Sequence, residues 1–266
     1  VPSIILGILS LRDIGKAAGA LTGKPLAIIG IVLGSLGTLC MPIPYFFLLI
    51  NPATSKVREA AARSQSQNNL KQMAIAMHNY NSTYMKLPSA AVGDPTQAEG
   101  MQKPNLSWRV AILPFIEQQG LYRQFKLNEP WDSPNNIKLL GQMPKIYKLP
   151  NDDKTKPDHT HYLVFVGNGA AFEKTRSTRI PGDFQDGTSN TILIVEAEKA
   201  VPWTKPEDID FNPNMPIRPL LSTYFSSGGQ AALADGSVKM LTKSISENTL
   251  KNAVIRNDGN VLGPDW

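Results

Sequence analysis

Hydrophobic and polar positions separate sharply at Ile50. The run from Pro25 to Ile50 holds no charged residue, and as a helix rising 1.5 Å per residue it would measure about 39 Å, more than the ~30 Å hydrocarbon core of a bilayer. It predicts a membrane span, since a buried core helix would be shorter and carry a polar stripe. Pro42 and Pro44 each remove a backbone donor, so a break is expected near Met41 to Tyr45, with the regular helix ending near Cys40. Tyr45, Phe46 and Phe47 suit the membrane boundary. Asn51-Pro52 then reads as a fresh helix start, a cap followed by proline, nearly continuous with the span. Further on, Leu70, Met73, Ala74, Met77, Tyr80 and Tyr84 recur at three and four, which predicts a helix face packed on a core.

Pro88 should end this helix, and 89–105 reads as a loop. Apolar spacing from Leu106 to Phe125, interrupted by Pro114 and Gly120, predicts two short helices. Ser133 is placed to cap another from Pro134 to about Gln142. Strands follow at His161 to Val166 and Thr191 to Glu198, where β-branched residues concentrate. From Gln230 to Leu241 two alternating apolar segments flank Asp235-Gly236, a hairpin signal because glycine supplies positive φ. Asp186-Gly187 is read as a second structural turn. Val201 to Leu221, rich in proline and acids, must make a long surface excursion. Ser244 or Ser246 caps a last helix ending near Arg256. The expected fold class is α+β: a membrane helix continuing into a long helix packed on an antiparallel sheet.

Val1 to Leu11 is apolar but too short to cross a bilayer alone. Its Ile5-Leu6-Gly7-Ile8-Leu9 is echoed by Val32-Leu33-Gly34-Ser35-Leu36, which suggests a helical hairpin whose first helix is incomplete. The organisation expected is therefore an anchor over 1–50 and one domain over 51–266. Gly30, Gly34 and Gly37 place small residues along one side of the span, a spacing that lets helix backbones approach, so this face is expected to join copies or, in the alternative, to pack on Ile4 to Leu11 of its own chain. Basic residues flank both ends of the span, so charge does not orient it.

The formal charge of the 266 residues is +5, but bases and acids interleave, which argues against nucleic acid as partner. The single cysteine, Cys40, excludes an intramolecular disulfide and a cysteine-based zinc site. His159 and His161 would share a strand face with Asp158 or Asp153 nearby, yet this spacing is common and reads as a strand start. Glu207, Asp208 and Asp210 lack the alternation and glycine of a calcium loop, so solvated charge is the expectation. Glu196 and Glu198 face one way on an apolar strand and are expected to meet Arg or Lys. His78 reads as a satisfied histidine at the core edge. Thr188, Ser189 and Thr191 are not set in a nucleophile elbow, and no phosphate-binding loop is present. No catalytic residue, cofactor or metal is assigned.

Several motifs in order carry a resemblance: Val57-Arg58-Glu59-Ala60-Ala61-Ala62-Arg63, Asn68-Asn69-Leu70-Lys71-Gln72, Met77-His78-Asn79-Tyr80, Leu106-Ser107-Trp108-Arg109, Asp186-Gly187-Thr188-Ser189-Asn190 and Leu233-Ala234-Asp235-Gly236-Ser237. The chain resembles a planctomycete family with a pilin-like amino-terminal helix and a domain of unknown function. Members often end in His-x9-Asp-Gly, where Phe225 stands here. Pro25 to Gly30 has neither the Phe nor the Glu of a prepilin signal, and the span resembles a small two-helix membrane module. The resemblance implies a non-enzymatic, membrane-anchored, pilin-like structural or surface-assembly protein of the cell envelope. Its domain would lie outside the cytoplasm, with the lipid bilayer and other copies of the chain as partners. The alternative is a tethered binding module for a solute or polysaccharide.

Overall fold

The structure, a computed structural model, describes residues 2–16, 25, 27–29, 31–32, 42–94, 103 and 105–266. It divides into two units, 1–60 and 61–266. In the first, α1 spans Pro2–Lys16, five residues beyond the apolar run, and exposes Ile5, Leu6, Ile8 and Leu9. Gly30, Gly34, Gly37 and Cys40 lie outside the described residues. Among the described residues no helix is long and apolar enough to cross a membrane.

Helix α2 spans Pro42–Tyr84. Pro42 and Pro44 sit in its first turn, where a missing N–H leaves no carbonyl unsatisfied; the expected helix end near Cys40 lies outside the described residues. Asn51-Pro52 lies inside α2 and is not its start; the helix-forming residues on either side propagate through it, as adding a turn costs far less than nucleating one. Ala62, Ser66, Asn69, Leu70, Met73, Ala74 and Met77 are buried at helical spacing. Met85, at φ 58°, reverses the chain beyond the last turn.

Two short strands pair next, β1 (Ala91–Val92) with β2 (Leu106–Ser107). Helices α3 (Trp108–Ala111) and α4 (Gln119–Tyr122) flank a 3-10 turn at Leu113–Ile116, giving three short pieces where two were expected. Ser133 Oγ accepts from Asn136 N at 3.1 Å and opens a 3-10 helix, Asn136–Gln142.

The central sheet is antiparallel with strand order β3 (His159–Leu163), β5 (Ile192–Pro202), β7 (Gly229–Leu233) and β8 (Val238–Leu241). Within the excursion after β5, β6 (Ile209–Asp210) pairs in parallel with β4 (Phe165–Val166). The protein is thus α+β. Both faces of the sheet are covered, which explains why 192–197 of β5 are all buried. Ala232 and Ala234 pack with Leu70, Met73 and Met77 of α2. Ala231 and Leu233, alternating with them, pack with Leu250, Ala253 and Val254 of α5 (Glu247–Val254). A register shift between Ile192 and Ile194 opposes an extra β5 residue to β7, and it turns Leu193 toward the α2 side.

Candidate functional site

Among the described residues of 61–266, two buried polar networks and one apolar cleft stand out. The first forms where Ser107 ends β2 and accepts from Arg109 N, capping α3. This turn carries Arg109 into the interior, where it is fully buried. Its guanidinium donates to Tyr162 O at 2.7 Å and 3.0 Å and to Ser107 Oγ at 2.6 Å. It also pairs with Asp208 Oδ1 at 2.8 Å and lies over the Trp108 ring. Trp108 Nε1 and Val164 N donate to the same Oδ1. Burial pushes the Asp208 carboxyl up, against the pull of Arg109. Asp208 is consequently not the solvated charge expected for this loop, because the excursion folds back and places it beside the buried Arg109 guanidinium.

The second place joins α2 to the sheet. Ser66 Oγ donates to Glu196 Oε1, and Tyr162 Oη lies 2.6 Å from Ser66 Oγ, with Asn69 Nδ2 donating to the tyrosine. Gln230 N donates to Glu196 Oε2 at 2.8 Å. Here β5 leaves β7: Glu196 O accepts from Ser222 N instead, so the carboxylate takes the Gln230 donor that the ladder leaves over. Glu196 is fully buried and among the described residues meets no Arg or Lys, contrary to expectation, since the donors facing it from α2 and β7 are Ser66 and Gln230. Burial pushes its carboxyl up to about 7, despite the hydrogen bonds from Ser66 and Gln230. Glu198, on the exposed side, accepts from Thr223 N and Oγ1.

The third is a cleft of about 400 Å3 between β5, β6 and the chain before Leu220. Its floor is a separate apolar cluster of Leu163, Ala197 and Val201 with Ile209 against it. Met215 and Leu220 stand exposed at its mouth.

The remaining sequence candidates are dispersed. His159 pairs with Asp158 at 2.6 Å, and His161 Nε2 lies 2.9 Å from Thr155 Oγ1 and 3.2 Å from Asp152 Oδ2. Among the described residues no group of three or more His, Cys, Asp or Glu could hold a metal ion. Asp186 accepts from Asp258 N and Gly259 N, and Gly187 has φ 97°. Asp235 accepts from Ser237 N between β7 and β8; Gly236, at φ 86°, approaches His78. His78 Nε2 is buried without a hydrogen bond, unlike the satisfied histidine expected. Trp108 and Trp203 are fully buried, with Trp203 Nε1 donating to Leu140 O, so neither ring is presented to solvent. Sequence reasoning missed Arg109, Gln230 and the cleft. The only local signal for Arg109 was a charge set among the apolar residues Leu106, Trp108 and Val110.

Fold and sites together define an α+β domain with a helix-backed antiparallel sheet, two buried polar knots and an apolar cleft at the sheet margin. Residues 55–182 match the family described as "Protein of unknown function (DUF1559)", a segment running from α2 through β4 to just before Asp183. No curated protein matches the chain. No solved structure matches it either.

Proposed function

We propose that this is a non-enzymatic, membrane-anchored, pilin-like protein of the cell envelope that works as a structural element by assembling with copies of itself. The observation that carries this reading is the apolar exposure in residues 1–60. Ile5, Leu6, Ile8 and Leu9 of α1, with Ile28, Ile29 and Val32, are each about half exposed or more, and they leave no polar side along those short stretches. Apolar residues all round a helix call for lipid or another helix. The 43-residue α2, packed along the sheet from Ala62 onward, supports the pilin-like part, as does the motif resemblance to planctomycete proteins. Gly30, Gly34 and Gly37 are the assigned contact between copies. Alkaline extraction of native membranes should leave the protein in the pellet. In mild detergent its mass should be a multiple of the 29.1 kDa chain, reduced by Gly34→Leu. Release into the supernatant, or a monomeric wild type, would overturn the reading.

A second reading, a tethered binding module, is favoured by the cleft of about 400 Å3, a size within the range of small-molecule sites.

A further inference from the structure

We infer that the cleft beside β6 binds a small amphipathic cation, an apolar body with a protonated amine. This rests on the binding-module reading and is independent of assembly. Leu163, Val201 and Ile209 offer an apolar floor, and burying an apolar group there removes both surfaces from water. Charge at the rim selects the head group. Four acidic residues line the cleft, Glu198, Glu207, Asp208 and Asp210, against one basic residue, Lys199. Asp208 is matched by Arg109, and Glu207 is held by both Lys199 and Lys205. Glu198 has only the Thr223 hydrogen bonds, without a basic partner among the described residues. The Asp210 carboxylate is exposed and carries no side-chain hydrogen bond or ion pair there.

An anionic ligand would meet repulsion at this mouth. A neutral one would gain only the floor. An ammonium at Asp210 leaves the carbon skeleton pointing inward, with Met215, unbranched and about 59% exposed, able to fold over it. The polar atoms are few and peripheral, so recognition is by shape and charge and tolerates varied apolar bodies.

The test uses the full chain in mild detergent with three probes of nearly equal shape: 2-phenylethylamine, 2-phenylethanol and 3-phenylpropanoate. Dissociation constants are read by ligand-observed NMR. The amine should bind about tenfold tighter than the carboxylate, and Asp210→Asn should weaken the amine about threefold while leaving the alcohol unchanged. Ile209→Trp should abolish all three by filling the cleft. Equal binding of the three probes would overturn the ligand class while leaving a binding module in place. Binding of none would remove both. Amine binding untouched by Asp210→Asn and Ile209→Trp would overturn the location. An amine that lowers the particle mass would overturn the independence from assembly.

Discussion

Arg109 and Asp208 face each other in the interior at 2.8 Å although 99 residues separate them in the chain. The pair ties the β2–α3 turn to the excursion after β5, and through Tyr162 O to the sheet edge. Removing one partner strands the other charge in a low-dielectric site, where it costs several kcal/mol. Arg109→Met should therefore destabilise the fold by about 3–5 kcal/mol in chemical denaturation. The double change Arg109→Met with Asp208→Leu should recover part of that loss. A double variant no more stable than Arg109→Met would mean that the orphaned carboxylate is not the main cost.

Glu196 predicts a pH dependence of unusual sign. Its ordinary value is 4.5 and burial raises it to about 7, so between these limits the folded state binds the extra proton. Stability from this group is full below pH 4.5, falls as pH rises toward 7, and levels off above; the swing is about 3 kcal/mol at most. Tyr162 is the titratable neighbour on β3, and its own value is pushed up by burial and by Glu196, outside this window. The difference in unfolding free energy between wild type and Glu196→Gln, followed from pH 4.5 to 7, should carry this slope. A flat difference would show that Glu196 titrates near its ordinary value.

Two glycines at the hairpin should respond unequally. Gly236 has φ 86°, but an added Cβ would find His78 only at ordinary contact distance, 3.6 Å. Gly236→Ala should cost about 1–2 kcal/mol, from backbone conformation alone, and Gly236→Val at least as much. Gly228 has φ 112°, and a Cβ there would run into the Leu241 carbonyl. Gly228→Ala should cost more than Gly236→Ala in thermal melting; the reverse order would contradict the packing around β8.

Ser246 caps α5 by accepting from Thr249 N at 3.2 Å, while Glu247 accepts from Ile217 N and Arg218 N. Ser246→Ala should destabilise by about 1 kcal/mol, the usual loss of a cap. Glu247→Ala should cost more, because two amides of the excursion lose their acceptor. Equal effects would place the excursion's order elsewhere than α5.

Local pattern was enough for the elements whose cause is local. The spacing of Leu70, Met73, Ala74 and Met77 places the buried face of α2, since side chains three and four apart share one side whatever they later touch. Alternation on either side of Asp235-Gly236 is enough for β7 and β8, and Ser246 marks the start of α5. Tertiary structure decided what depends on long closures. Ser66 and Glu196 meet across 130 residues, and Glu196 takes up a donor only because β5 changes partner there. Nothing near Asp208 in the chain announces that Arg109 will neutralise it, so it read as solvated until the excursion was seen to turn inward. The cleft has the same origin: its floor comes from β3, β5 and β6, none amphipathic enough alone to signal a pocket. Hydrophobic periodicity tells a residue which way to face, whereas the partner it finds is set by which distant segments the closed chain brings alongside.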